Sequence, residues 1–577
     1  MNLRTQLQSC DLFSGLDDAA LAALEAEVRV VTVQGQSTLF EQGDRADGMY
    51  IVLHGRLRVV HRHADGRESV WGEVGRGGYL GETALLLGAS RSASARVVRD
   101  GTLLHLSDAG FRALVNRHPT AAMDVARTLA QRAKDAQRLQ AVDAFRTIAI
   151  VSVHGGARVD AITDAFVAAL RAFGTTAVVR QPGSEAVPTA EYLTRIEQEN
   201  ERVVYVADHG GQDQGQLLWA RQCLRQADIV LVLASADQPP CAPPEVLLGT
   251  SVPVHLALHH PGGTPPQGTA AWLTLGAYRS HHHLRRGQAS DVGRMARILC
   301  GRATGLALSG GGSRTTAYIG VFKALQEHGV QPDIVSGTSG GAMLGAMLAL
   351  QMDPQTMLEH IRRMGRAPFY LDLGPPIVSM LGGRVMNRLL RSFYGDCGVE
   401  DTPVPLMPVC ASLRNSGVFV PAQGALWRAV QASSAVPGVL PPVAWDGDLL
   451  VDGGIVDNLP VGMLVPACSE GFIIAADVSA APQFPPSPDD LHATGGWIAL
   501  WRRWSGAPRP PGLMDILQTS ACIASNALVA RALHSVDLHI LPLAGGVPSA
   551  GDPLDAMVEA GYRAAVAALE RSALTKT

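Results

Sequence analysis

Three short stretches in the second half of the chain hold residue types that can cleave an ester. Gly337-Thr338-Ser339-Gly340-Gly341 matches GxSxG, the pattern of a serine on a sharp strand-to-helix turn. A strand expected over Asp333–Val335 and a helix over Ala342–Leu350 supply the context that pattern needs. The flanking glycines relieve crowding and leave the hydroxyl at a helix N-terminus, where the dipole favours developing negative charge. Upstream, Leu306-Ala-Leu-Ser309 ends a short strand and runs into Gly310-Gly311-Gly312-Ser313-Arg314. Consecutive glycines can turn several backbone N–H groups one way, as an oxyanion or a phosphate requires. A serine at its ordinary pKa needs a base. Asp452, in Leu449-Leu-Val-Asp452-Gly453-Gly454, ends an apolar strand, where partial desolvation raises basicity. Each stretch also has a plain structural use. Ser339 suits a tight strand–helix connection, the glycines suit close packing, and Asp452 suits an Asx-turn.

Taken in order, GGGSR at 310–314, GTSGG at 337–341 and DGG at 452–454 resemble the patatin-like phospholipases. Ala432-Ser-Ser-Ala-Val-Pro-Gly-Val-Leu-Pro-Pro442 and Asp457-Asn458-Leu459-Pro460 are similar to that family as well. The resemblance implies a Ser–Asp dyad without histidine, with Ser339 the nucleophile and Asp452 the general base. It implies an oxyanion hole from the N–H groups of Gly310, Gly311 and Gly312, with Arg314 supporting that loop. The family pattern usually has glycine where Thr315 stands, and a β-branched residue is strained if the position requires a positive φ. The implied activity is hydrolysis of a carboxylic ester in a lysophospholipid or phospholipid, with no cofactor or metal required for catalysis.

Near the N-terminus, Gly81-Glu82-Thr83-Ala84-Leu85-Leu86 and Ala89-Ser90-Arg91-Ser92-Ala93 resemble the phosphate-binding cassette of cyclic-nucleotide-binding domains. The resemblance places Glu82 against a ribose 2′-OH and Arg91 against a cyclic phosphate, with Gly81 and Ser92 beside them. A fixed guanidinium suits a singly charged phosphodiester. Leu80 stands where an aromatic residue is common and Ser90 where proline is common. The implied regulatory ligand is cAMP or cGMP; the plain alternative is a surface Glu–Arg pair. The whole order is similar to the neuropathy target esterase group of lysophospholipases, with one nucleotide-like domain. Trp219–Asp228, His281–Arg285 and Gly383–Arg388 carry the likeness between and beyond the motifs.

Other residues leave choices open. His492, His534 and His539 follow Asp452 in the chain order of a Ser–His–Asp hydrolase. A nucleotide sensor with an inactive hydrolase domain is a reading from another class. Trp497, Trp501 and Trp504 fit one helical stripe beside Arg502 and Arg503, suited to a core or to peripheral contact with a bilayer. Gly155-Gly156 follows a strand but lacks the GxxxxGK[ST] spacing, so a tight turn is expected. His281, His282 and His283 read as a polar loop, not a metal site.

The elements that must position these residues fall into three parts. Short strands and punctuating glycines over 1–140 imply a β-roll or jelly roll with C-terminal helices, including a helical run from Thr120 to about Phe145. Alternating strands and helices over 145–300 imply a middle α/β domain with a parallel sheet. Residues 301–577 read as a second α/β domain, with its motif core at 305–460. The 577 residues fit several domains, and 47% hydrophobic residues can build several cores. A formal charge of −4 offers no field for nucleic acid. The eight cysteines show no CxxC or zinc spacing, which fits a reducing, cytoplasmic setting, with peripheral contact at the inner membrane face as an extension. No signal peptide is read at the N-terminus. Ile334–Met352 is uncharged, but its early glycines make a turn, and the remainder is too short to cross a bilayer.

Overall fold

The computed structural model describes residues 18–35, 37–62, 68–75, 77–82, 88–117, 145–153, 157–181, 190–207, 214–247, 252–262, 265–479, 528–546 and 553–572, with Leu7, Phe13 and Ser525. The helical run after Thr120, Gly155-Gly156, His492 and the Trp497–Trp504 stripe lie outside these residues, Phe145 excepted. The chain forms two compact units, one of residues 1–261 with 273–293, the other of 262–272 with 294–577.

The first unit holds two sheets. Helix α1 (Asp18–Glu27) leads into strands β1 (Val28–Val33), β2 (Thr38–Phe40), β3 (Gly48–Arg62), β4 (Glu68–Val74), β5 (Tyr79–Leu80) and β6 (Ser94–Ser107). The sheet order is β1-β6-β3-β4, with β2 on β6 and β5 on β3, all antiparallel. Gly55 does not end a strand as its place in the sequence suggests. It sits at φ 107 within β3, where the register against β6 shifts, so the strand bends and continues. Ser107 caps helix α2 (Asp108–Arg117), its Oγ accepting from Gly110 N at 3.1 Å.

The second sheet is fully parallel, in the order β12-β11-β10-β7-β9-β8. Its strands are β7 (Thr147–Ser152), β8 (Thr176–Arg180), β9 (Arg202–Ala207), β10 (Ile229–Ser235), β11 (Val254–His260) and β12 (Ser280–Arg285). Central strands covered on both faces read as unbroken apolar runs, and β7 and β9 are buried at every position. His281–His283 form part of strand β12, not a loop. Its pairing with β11 brings His283 Nδ1 within 3.0 Å of His260 Nε2, and both residues are buried. Among the described residues no group of side chains is arranged to hold a metal ion.

The second unit is built on β13 (Thr304–Leu308), β14 (Ile334–Thr338), β15 (Leu406–Ser412), β16 (Gly417–Phe419), β17 (Val443–Trp445), β18 (Asp448–Asp452), β19 (Phe472–Ala476) and β20 (Leu538–Ile540). The order is β17-β18-β15-β14-β13-β19-β20, with β16 on β15. The stretch β15-β14-β13-β19-β20 is parallel, and β16, β17 and β18 are antiparallel additions. Parallel neighbours end on one side of the sheet, so the loops after β13, β14 and β19 gather there, as active-site loops do in open α/β sheets. Helices α3 (Ala317–Glu327) and α4 (Gly340–Ala349) follow β13 and β14. All of α4 except Leu348 is buried, which its uncharged sequence permits. Among the described residues no helix is long and apolar enough to cross a membrane.

Candidate active site

Ser339 lies between β14 and α4 at φ 55, ψ −123, left-handed backbone that few side chains adopt. Such strain persists only where the surroundings over-determine it. Here they do. The Ser339 N–H donates to Ser433 Oγ at 3.0 Å, and that hydroxyl donates to the Val409 carbonyl at 2.6 Å. The Ser339 carbonyl accepts from Met343 N at 3.1 Å, the first helical bond of α4. Gly341 is required by space: a Cβ there would stand 2.5 Å from the Leu308 carbonyl oxygen. The turn thus holds the serine at the positive end of a ten-residue helix.

Asp452 reaches the same place from the other side of β15. Thr338 pairs with Val409 and Cys410 pairs with Asp452, so the residue after Thr338 is level with Asp452 across one intervening strand. The Asp452 N–H donates to Ala435 O at 3.0 Å, and Oδ1 accepts from Gly454 N at 2.8 Å. Oδ2 is buried and makes no hydrogen bond of ordinary length among the described residues. Burial pushes the Asp452 carboxyl up to about 6, while the Ser339 hydroxyl and the Gly454 N–H act in the opposite direction. Asp457 is also pushed up to about 6 by burial, but its opposing hydrogen bond comes from the Leu459 backbone, not from Ser339. Of these two carboxyls, Asp452 is the one whose hydrogen bonding involves Ser339.

The glycine loop requires one correction. The Gly310 N–H donates to the Asn458 carbonyl at 3.1 Å, so it is already engaged by the strand-end packing. The N–H groups of Gly311 and Gly312 make no hydrogen bond among the described residues, so of the three expected donors these two are the ones left open. Gly312 has φ 59, which an L side chain resists. Arg314 Nε donates to the Gly311 carbonyl at 3.2 Å, and Thr315 Oγ1 donates to the Gly312 carbonyl at 2.7 Å. Both side chains thus hold carbonyls of the loop in place. Thr315 is unstrained. It lies in a 3-10 turn spanning Gly312–Thr316 and has no positive φ. Beneath the loop, Tyr318 OH meets Ser309 Oγ at 2.8 Å and donates to the Ala476 carbonyl at 3.0 Å, fixing the end of β13 against β19.

Among the described residues the histidine alternative is not assembled; His492 lies outside them. His539 is on β20, three strands from β14, or ~14 Å at ordinary strand spacing. Its Nε2 lies 3.8 Å from Asp477 Oδ2 instead. His534 Nδ1 bonds the Ala530 carbonyl at 3.0 Å within its own helical turn. Sequence reasoning missed Ser433 and Asn458 as positioning residues. Both lie inside stretches already notable for their motif likeness, but nothing local marks their contacts.

In the first unit, Arg91 is buried, and its Nη2 lies 2.6 Å from Asp47 Oδ1. Its guanidinium sits 4.1 Å from the Phe40 ring centre and 5.8 Å from that of Tyr50. Its Nη1 is 3.4 Å from the Gly81 carbonyl, and its Nε is buried without a hydrogen-bond partner among the described residues. Glu82 is half-buried and follows the positive-φ Gly81. Ser92 is exposed, and its carbonyl accepts from His61 Nδ1 at 3.1 Å. Asp47 was not anticipated as the partner of Arg91, being 44 residues away in the chain.

Comparison with known proteins matches residues 30–118 to the cyclic nucleotide-binding domain, 144–297 to the neuropathy target esterase family P-loop like domain, and 306–465 to patatin-like phospholipase. A lysophospholipase nte1 of Aspergillus terreus is 29% identical over 590 residues, covering 86% of this chain and 38% of that protein. A patatin-like phospholipase domain-containing protein 6 of Pongo abelii is 30% identical over 568 residues, covering 85% of this chain and 41% of that protein. The chain thus spans about two-fifths of the length of these relatives. Among solved structures, the regulatory domain of Toxoplasma gondii PKA co-crystallised with cAMP is 31% identical, over 19% of this chain and 42% of that one, with a TM-score of 0.19.

Proposed function

We propose, from the premise that residues 306–465 are a patatin-like phospholipase domain set in the domain order of the neuropathy target esterase group, that this chain is a serine hydrolase of lysophospholipid or phospholipid carboxylic esters. The observation that carries this reading is the strained Ser339 turn set beside a buried, uncompensated carboxylate, Asp452.

The chemistry follows from that arrangement. As Ser339 Oγ attacks the acyl carbonyl carbon, its proton passes to the Asp452 carboxylate. Negative charge grows on the carbonyl oxygen, where the N–H groups of Gly311 and Gly312 and the start of α4 receive it. The intermediate collapses, and the glycerol oxygen leaves with the proton from Asp452. Water then attacks the acyl-serine, again giving a proton to Asp452, and the fatty acid departs as Ser339 recovers its proton. A base near pKa 6 is ionised at neutral pH yet more basic than an ordinary aspartate.

The second part of the proposal concerns regulation. The buried Arg91, with a donor left over at Nε, supports a cyclic nucleotide, cAMP or cGMP, bound at Gly81, Glu82, Arg91 and Ser92 and altering hydrolysis. The test is a panel of lysophospholipids and diacyl phospholipids assayed with the wild type and Ser339→Ala, each with and without cAMP and cGMP. Hydrolysis by the wild type should fall by at least about 10³-fold in Ser339→Ala, and nucleotide should change the wild-type rate. Full turnover by Ser339→Ala contradicts the enzymatic reading. Rates indifferent to either nucleotide contradict only the regulatory one.

A further inference from the structure

The longest run of exposed apolar side chains among the described residues belongs to neither site discussed above. Between α5 (Pro354–Gly365) and α6 (Arg384–Tyr394), Tyr370, Leu371, Leu373, Ile377 and Val378 are 64–90% exposed. A soluble surface usually scatters such residues singly; a contiguous group marks a contact. This excursion is ordered, not frayed. Leu373 bridges Leu381, Gly382 N donates to Asp372 O at 2.8 Å, and Val385 N donates to Asp372 Oδ2 at 3.2 Å. Pro375 and Pro376 stiffen its tip. The side chains are thus held outward by a built turn.

Charge around the excursion points to the partner. The chain as a whole is slightly acidic, yet residues 360–395 contain six arginines and a single acidic residue, Asp372, which is buried. Arg366, Arg384 and Arg388 are exposed on the two flanking segments; Arg384 keeps 85% of its side chain accessible while its Nε lies 3.4 Å from Asp372 Oδ1. An apolar tip flanked by exposed arginines suits the bilayer interface: the tip enters the acyl boundary and the guanidinium groups meet phosphate headgroups. A protein partner would not need so one-sided a charge. The excursion is also tied to the candidate active site. Met380 N and Leu381 N donate to the Gly438 and Val439 carbonyls, at 2.9 and 3.0 Å. Ala435, which accepts the Asp452 N–H, is three residues before Gly438, a span of at most about 11 Å.

We propose that residues 369–381 form a bilayer-docking surface, taking a membrane that carries anionic phospholipid and bringing the Ser339 site to its lipid. This rests on the lipid-ester reading of the same domain, and the test separates the two by measuring binding without hydrolysis. Full-length Ser339→Ala is floated with vesicles of phosphatidylcholine alone and with vesicles in which about a quarter is phosphatidylglycerol. Anionic vesicles should retain the protein, and added salt should weaken retention. Ile377→Glu with Val378→Glu should reduce retention at least about tenfold, and Arg384→Glu with Arg388→Glu roughly fivefold per arginine. Leu413→Glu, another exposed apolar position outside residues 369–381, should change nothing. Circular dichroism and thermal melting check that each variant is folded. Retention unaffected by the Ile377/Val378 pair overturns the proposal, as does retention lost equally in Leu413→Glu. So does concentration-dependent self-association through Ile377 in a protein that ignores vesicles. Retention lost only when Trp497, Trp501 and Trp504 are replaced assigns docking to that stripe and also overturns it.

Discussion

In the domain that matches the cyclic nucleotide-binding family, Arg91 meets Asp47 at 2.6 Å and lies against Phe40; in the patatin-like domain, Asp452 is as deeply buried and has only a hydroxyl and a backbone N–H for company. The first charge is compensated by its counter-ion and by an aromatic face, the second is not. A compensated charge holds structure together and waits for a ligand to compete or share. An uncompensated one is a poor contributor to stability, and its raised pKa makes it a better base. The proposed reactivity of this chain thus rests on a carboxylate that the fold leaves without a counter-charge.

Asp452→Asn breaks that contrast most strongly. Ester hydrolysis should fall by about 10²–10⁴-fold, the range expected for loss of a general base. The protein should meanwhile become more stable at pH 8. The folded-state pKa of Asp452 lies above its unfolded value of 3.8, so its contribution to stability is fully present below pH 3.8. That contribution is lost as pH rises through about 6, where the charge is buried without a counter-charge. The rise from 3.8 to about 6 sets an upper bound of roughly 3 kcal/mol on the gain. Urea unfolding at pH 8 and at pH 4 checks the sign: the gain should be present at the first and absent at the second.

Ser433→Ala sharpens the contrast from the nucleophile's side. It removes the acceptor of the Ser339 N–H and leaves the Val409 carbonyl without that donor. A loss of about 1–3 kcal/mol in transition-state stabilisation is expected, seen as roughly a tenfold fall in kcat with little change in KM. Arg91→Ala has a smaller effect and of another kind. It removes one half of an ion pair whose other half, Asp47, is 58% exposed and able to rehydrate. Loss of the buried stem and its aromatic contacts should cost about 1–2 kcal/mol of stability, read as a lowered Tm of the first unit.

How much of this was legible beforehand varies with the range of the interactions. Ser339 and its glycines were readable because one of the turn's demands is local: a Cβ at Gly337 would stand 2.6 Å from the Gly341 carbonyl oxygen. Asp452 was readable from an apolar strand ending in two glycines. The engagement of the Gly310 N–H was not, because its acceptor Asn458 is far along the chain and donor geometry depends on strand ends meeting. Thr315 looked strained only while a positive φ was assumed; the 3-10 turn removes that requirement. His281–His283 suggested a polar loop, since imidazoles are unusual in a strand, yet pairing with β11 buries His282 and His283. The exposed apolar excursion at 369–381 left no trace in periodicity, because exposure is a property of the folded surface.

The most direct test of the dyad is covalent. A fluorophosphonate should phosphonylate the full-length protein once, on the peptide containing Ser339, at a rate that climbs as pH rises through about 6 and collapses in Asp452→Asn. Labelling at a different residue, or an undiminished rate at Ser339 in Asp452→Asn, would contradict the pairing of this serine with this carboxylate.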